Sequence, residues 1–88
     1  MTSVDKTKPT VKGVKNGKTY KKKAVIYVKD ANGIKQVKVG SKKIKLTKVK
    51  KGKYKGYYKF TVTKKGKNTI KVYDKAGNVR TVKIKIKK

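Results

Sequence analysis

The chain has 88 residues, 30 of them Lys or Arg against three Asp, and a net charge of +27 with no Cys, His, Glu or Trp. Those absences exclude a disulfide framework, an ordinary zinc site and any Ser-His or Cys-His catalytic pair. A Ser-Lys dyad has only Ser3 and Ser41 to draw on, one in a polar leading stretch and one in a turn among solvated lysines, so no catalytic function is expected.

So high a charge on a chain of mean hydropathy −0.85 ordinarily describes disorder. The spacing of the apolar residues says otherwise. Residues 1–9, containing "TSVDKTKP", read as an N-terminal linker because Pro9 cannot donate to a ladder. From residue 10 to 88 a single domain follows, punctuated by "KNGK" at 15–18, "DANG" at 30–33, "VGSK" at 39–42, "KKGK" at 50–53 and 64–67, and "DKAGN" at 74–78. Each supplies Gly, Asn or Asp where a turn needs positive φ. Between them the apolar residues recur with period two, which predicts strands near 10–14, 24–29, 34–39, 43–48, 56–63, 68–73 and 79–87, with a short extra piece at 18–20.

The last segment, "RTVKIKIKK", shows the pattern most plainly: Val82, Ile84 and Ile86 share one face, Lys83, Lys85 and Lys87 the other. Extending that parity gives a predicted inward set of Val11, Ala24, Ile26, Val28, Ile34, Val37, Val39, Ile44, Leu46, Tyr58, Phe60, Val62, Ile70, Val72, Val82, Ile84 and Ile86. One buried and one wetted face per strand is the habit of antiparallel sheets, and seven strands at this spacing suggest a sandwich. No run is apolar and long enough to span a bilayer, so the chain is expected to be soluble.

The ordered pieces "DKTKP", "GVKNGKTY", "VIYVKDANGIKQVKVG" and "GKNTIKVYDKAGN" closely resemble the bacterial immunoglobulin-like (Ig-like) domains repeated along cell-surface and secreted proteins. The resemblance covers almost the whole chain. Its most specific parts are Asp5, Thr7 and Pro9, then Gly17 and Tyr20, Asp30, and the turn of Asp74, Ala76, Gly77 and Asn78. It implies an all-β, Ig-like antiparallel β-sandwich of about seven strands, acting without catalysis or cofactor as a structural or adhesion module. An extracellular or cell-surface location and neighbouring Ig-like modules in a parent chain are implied with it. The departure is the charge, since such domains usually carry mixed or acidic surfaces.

Three motifs invite chemistry. "GVKNGKT", residues 13–19, has three residues between its glycines where a phosphate-binding loop has four, and a strand rather than a helix is expected after it. Some Ig-like surface domains form Lys-Asn isopeptide bonds beside a buried acid. None of the three acids here falls at a predicted inward position, so that bond is not expected. Asp5, Asp30 and Asp74 should gather at one pole of such a sandwich, where converging oxygens suit calcium, yet three carboxylates on so cationic a body make a weak trap. Capping of their own turns is the plainer role.

The lysines remain. As solvated strand faces they need no ligand, and they discourage edge-to-edge aggregation. Arg80 is the sole arginine, which argues against base-specific reading of DNA. Nonspecific attraction to polyanions needs no pocket, however, and follows from counterion release. The expected diffuse polyanion-binding set is Lys29, Lys35, Lys38, Lys59, Lys71, Arg80, Lys83, Lys85 and Lys87. The expected partners are cell-wall teichoic acid, nucleic acid and heparin-like glycans, met by a monomer with no small-molecule substrate. Tyr27, Tyr57 and Tyr73 alternate with inward residues and fall among the outer lysines, where cross-strand packing is the favoured role and base stacking the alternative. An alternative for the whole chain is an engineered or naturally supercharged polycation that binds nucleic acid or enters cells. A ribosomal or chromatin-like small barrel fits the turn motifs less well.

Overall fold

Period-two alternation becomes nine strands in the computed structural model, which describes residues 8–31 and 33–87. They are β1 (Thr10–Lys12), β2 (Thr19–Lys21), β3 (Ala24–Lys29), β4 (Ile34–Val39), β5 (Lys42–Ile44), β6 (Thr47–Lys48), β7 (Tyr58–Val62), β8 (Gly66–Asp74) and β9 (Val79–Lys87). No helix occurs among the described residues. A four-stranded sheet has the order β1-β3-β7-β6, and a five-stranded sheet the order β2-β9-β8-β4-β5. Every pairing is antiparallel except β2 with β9, which is parallel.

The count exceeds the expected seven for two reasons. The short extra piece is a real strand, β2, which hydrogen-bonds along the end of β9. The single strand expected at 43–48 is two, because β5 pairs with β4 in one sheet whereas β6 pairs with β7 in the other. Lys45 and Leu46 carry the chain across between them. Alternation marks a residue as inward or outward, but it cannot say which sheet receives it.

The two sheets enclose one core of Val14, Ala24, Ile26, Val28, Val37, Phe60, Val62, Ile70, Val72, Val82, Ile84 and Ile86. Val11, Tyr20, Ile34, Val39, Ile44, Leu46 and Tyr58 pack against it partly buried. The whole predicted inward set is thus buried or packed on the core, with Val14 and Tyr20 added. Val14 joins because β1 stops early. Gly13 turns the chain with φ +89°, and a Cβ there would meet the Val25 carbonyl oxygen at 2.6 Å, so only glycine passes this close to β3. The uneven step from Ile34 to Val37 has its own cause: the register with β8 shifts between Ile34 and Gln36, and Lys35 is the extra residue of a bulge.

The outer faces carry lysine opposite lysine. In the five-stranded sheet Lys38 pairs across with Lys43 on one side and Lys71 on the other, Lys67 with Lys85, and Lys21 with Lys87. Like charges directly opposite oppose the ladder by roughly 0.2–1 kcal/mol a pair. Each Ile or Val fully buried on the reverse side returns about 1.5–3 kcal/mol. Burial therefore sets the register, and the lysines accept the positions left over.

Candidate polyanion-binding surface

The expected lysines do not form one site. Lys38, Lys71, Lys83, Lys85 and Lys87 stand on the outer face of the five-stranded sheet, whose inward neighbours Ile70, Val72, Val82, Ile84 and Ile86 are buried. Lys29 and Lys59 stand on the outer face of the four-stranded sheet, on the other side of the core. Lys35 projects from the bulge and is exposed. Arg80 shares the parity of Val82 and Ile84, not of the outer lysines, and its Nε donates to the Pro9 carbonyl oxygen at 2.6 Å. Pro9 itself is buried, so this bond ties the start of the domain to the start of β9.

Successive outward residues of a strand lie about 6.6–6.8 Å apart and neighbouring strands about 4.8 Å apart. The five-stranded sheet therefore presents ammonium groups as a grid rather than a cleft. Every described lysine is exposed except the half-buried Lys38, whose Nζ lies 6.0 Å from the centroid of the Tyr73 ring. Tyr73 is its diagonal neighbour on β8 and pairs with Gln36.

The opposite face is built differently. Tyr27 on β3 has Lys12 of β1 and Lys59 of β7 as cross-strand neighbours. Tyr54, from the connection between β6 and β7, stacks on Tyr27 with ring centroids 4.0 Å apart and planes 13° apart. Tyr57 meets Tyr54 edge-on at 5.5 Å and 77°. The connection is held by its backbone: Val49 N donates to the Tyr57 oxygen at 2.8 Å, Gly56 N to the Val49 oxygen at 3.1 Å and Tyr57 N to the Tyr54 oxygen at 2.9 Å. Lys53 Nζ lies 5.7 Å from the Tyr54 centroid, and Lys29 Nζ 5.5 Å from that of Tyr57. Tyr54 escaped the sequence reading because it follows a turn and belongs to no strand, so parity assigned it no face. The cluster "YKGYY" at 54–58 was the available signal.

At the pole where β3 ends, the turns that carry Asp30 and Asp74 meet. Ile34, just after the Asp30 turn, pairs with Asp74, and Lys75 N donates to the Gly33 oxygen at 3.1 Å. Asp5 lies outside the described residues. Asp74 corrects the expectation that no acid is inward. β8 runs one residue past its predicted end, which puts Asp74 in phase with Ile70 and Val72 and leaves it 0% exposed. Its Oδ1 accepts from Asn78 N at 2.7 Å and its Oδ2 from Asn78 Nδ2 at 3.0 Å. Both oxygens thus serve the turn between β8 and β9. No group of three or more His, Cys, Asp or Glu suited to a metal occurs among the described residues.

The motif at 13–19 forms a turn at Asn16-Gly17 and leads into β2. Lys18 N donates to the Lys15 oxygen at 3.2 Å, and Asn16 Oδ1 accepts from Lys83 N at 2.8 Å. Asn16 thus ties this turn to β9. No helix of the described residues is long and apolar enough to cross a membrane. No protein-family model matches the chain, and no curated protein or solved structure is significantly similar to it.

Proposed function

We propose that this chain is a non-catalytic Ig-like structural or adhesion module of a bacterial surface or secreted protein, whose polycationic faces hold anionic polymers without sequence preference. The order β1-β3-β7-β6 corresponds to A-B-E-D of an Ig sandwich and β9-β8-β4 to G-F-C, which supports the Ig-like reading. Pro9 sits beside Arg80 at the start of β9 while Lys87 ends that strand, roughly 23 Å away at about 3.3 Å per residue. Beginning and end at opposite poles, in a body of 50 × 28 × 20 Å, suit modules strung in series.

The observation that carries the binding reading is the lysine grid on the five-stranded sheet, with Lys38 between Lys43 and Lys71. Such a surface gains affinity by releasing counterions from the polymer. Teichoic acid, nucleic acid and heparin-like glycans all qualify as partners. A second reading, an engineered or naturally supercharged scaffold that binds nucleic acid or enters cells, draws on the same register, because stability alone disfavours lysine opposite lysine.

Titration of duplex DNA and of teichoic acid across a sodium chloride series tests the binding. Comparable affinities that fall steeply and linearly on a log-log plot are expected. A strong preference for one polymer persisting at moderate salt would show a shaped recognition site in place of diffuse charge, and no binding to either at low salt would end the proposal.

A further inference from the structure

Two segments far apart in sequence build an aromatic surface on one face only. Tyr27 comes from β3; Tyr54 and Tyr57 come from the connection after β6. All three rings are partly exposed, and they share one continuous contact, stacked from Tyr27 to Tyr54 and edge-on from Tyr54 to Tyr57. Cross-strand packing accounts for Tyr27, which fills the space between Lys12 and Lys59. It does not account for Tyr54, which lies outside every strand and reaches back over the sheet.

The cations are placed to match. Lys29 and Lys53 hold their ammonium groups 5.5 and 5.7 Å from the Tyr57 and Tyr54 centroids, and Lys12 and Lys59 flank Tyr27 in the sheet. The opposite face has lysines in greater number but a single tyrosine, Tyr73, beneath Lys38. We propose that Tyr27, Tyr54 and Tyr57, rimmed by Lys12, Lys29, Lys53 and Lys59, form a platform for single-stranded nucleic acid. A base extends the tyrosine stack while the flanking phosphates meet the lysines. This rests on the polycationic reading above and adds a ligand class and a place.

Charge complementarity alone would accept any polyanion. The flat rings select among them. A base presents a planar face to a stacked tyrosine, and stacking of this kind tolerates every sequence. Teichoic acid offers no planar ring, and in a duplex the base faces are already stacked on each other. The chain should therefore use this face for single strands and the five-stranded sheet for polyanions of every kind.

The test uses the whole 88-residue chain with labelled oligothymidylate, and heparin as the polyanion without bases. Tyr54→Ala should weaken oligothymidylate binding roughly 5- to 150-fold at fixed salt, the range that base stacking on an aromatic side chain spans. Its salt slope and its heparin affinity should stay unchanged, because no ionic contact is lost. Lys71→Gln on the other face should weaken both ligands alike. Tyr54→Trp keeps the stack with a larger ring and is read independently of whether the alanine variant folds; tighter oligothymidylate binding supports the platform, and equal or weaker binding overturns it. Loss of heparin and oligothymidylate in equal measure by Tyr54→Ala would likewise overturn it in favour of a glycan or purely ionic surface. Failure of the unmodified chain to bind either ligand at low salt would sink the polycationic reading itself.

Discussion

Lys22 has φ +67°, the left-handed region that side chains with a Cβ avoid, and is the one non-glycine residue so placed among those described. It is held there by the turn from β2 to β3, where its N–H reaches the Lys87 oxygen at 2.6 Å and Lys23 N reaches the Lys21 oxygen at 2.8 Å. Left-handed backbone costs roughly 1–2 kcal/mol, and glycine's greater freedom when unfolded costs about 0.5–1 kcal/mol in return. Lys22→Gly should therefore stabilise the domain by about 0.5–1 kcal/mol in urea unfolding. Lys22→Gln, which removes the same charge and keeps the strain, should gain less; equal gains would show that charge and not backbone governs the site. Asp74 is the opposite case, a buried acid on which a turn depends. Asp74→Ala removes the acceptor of two hydrogen bonds and should cost about 1–3 kcal/mol in the same assay. A neutral result would mean that the turn between β8 and β9 holds without its side-chain cap.

At the scale of elements, the pairing register converts a list of outward lysines into rows of like charge. Lys71 is central, with Lys38 across to β4 and Thr81 across to β9. Lys71→Glu replaces a like-charge pair by an opposite one and should raise stability by roughly 0.4–2 kcal/mol in dilute buffer, since each pair is worth about 0.2–1 kcal/mol either way. The gain should largely vanish near 1 M salt, where the Debye length is about 3 Å. A gain that ignores salt would point to packing rather than charge. The inward pattern of these strands was legible in sequence because it depends on parity alone, as in Ile70, Val72, Val82, Ile84 and Ile86. The division of 43–48 between β5 and β6, the bulge at Lys35 and the early end of β1 were not, because each depends on which neighbouring strand the segment meets and in what register.

For the whole molecule, charge and thickness compete through screening. The shortest dimension is 20 Å. At about 0.01 M salt the Debye length is about 30 Å, so exposed lysines repel one another across the whole surface; at about 0.15 M it is about 8 Å, and only near neighbours still do. The melting temperature should accordingly rise with sodium chloride, most steeply below physiological strength. A flat or falling curve would show that surface self-repulsion is not the fold's main liability. The same salt that steadies the sandwich should release its polymer, so stability and polyanion affinity are expected to move in opposite directions along one titration.

Sequence alone determined the all-β character, the core and the turns, because alternation and turn chemistry are local: side chains two apart share a face whatever the strand pairs with. It determined as well the charge on which the polyanion proposal rests, since +27 holds in every arrangement of the chain. Tertiary structure decided the rest. It placed β2 parallel to β9, split the lysines between two faces, engaged Arg80 with Pro9, buried Asp74 and laid Tyr54 on Tyr27. Each of these brings together groups from separate strands or turns. Only closure of two sheets over one oily layer fixes such neighbours, because the burial of Ile26, Ile70 and Ile86 chooses the register and every outward contact follows from it.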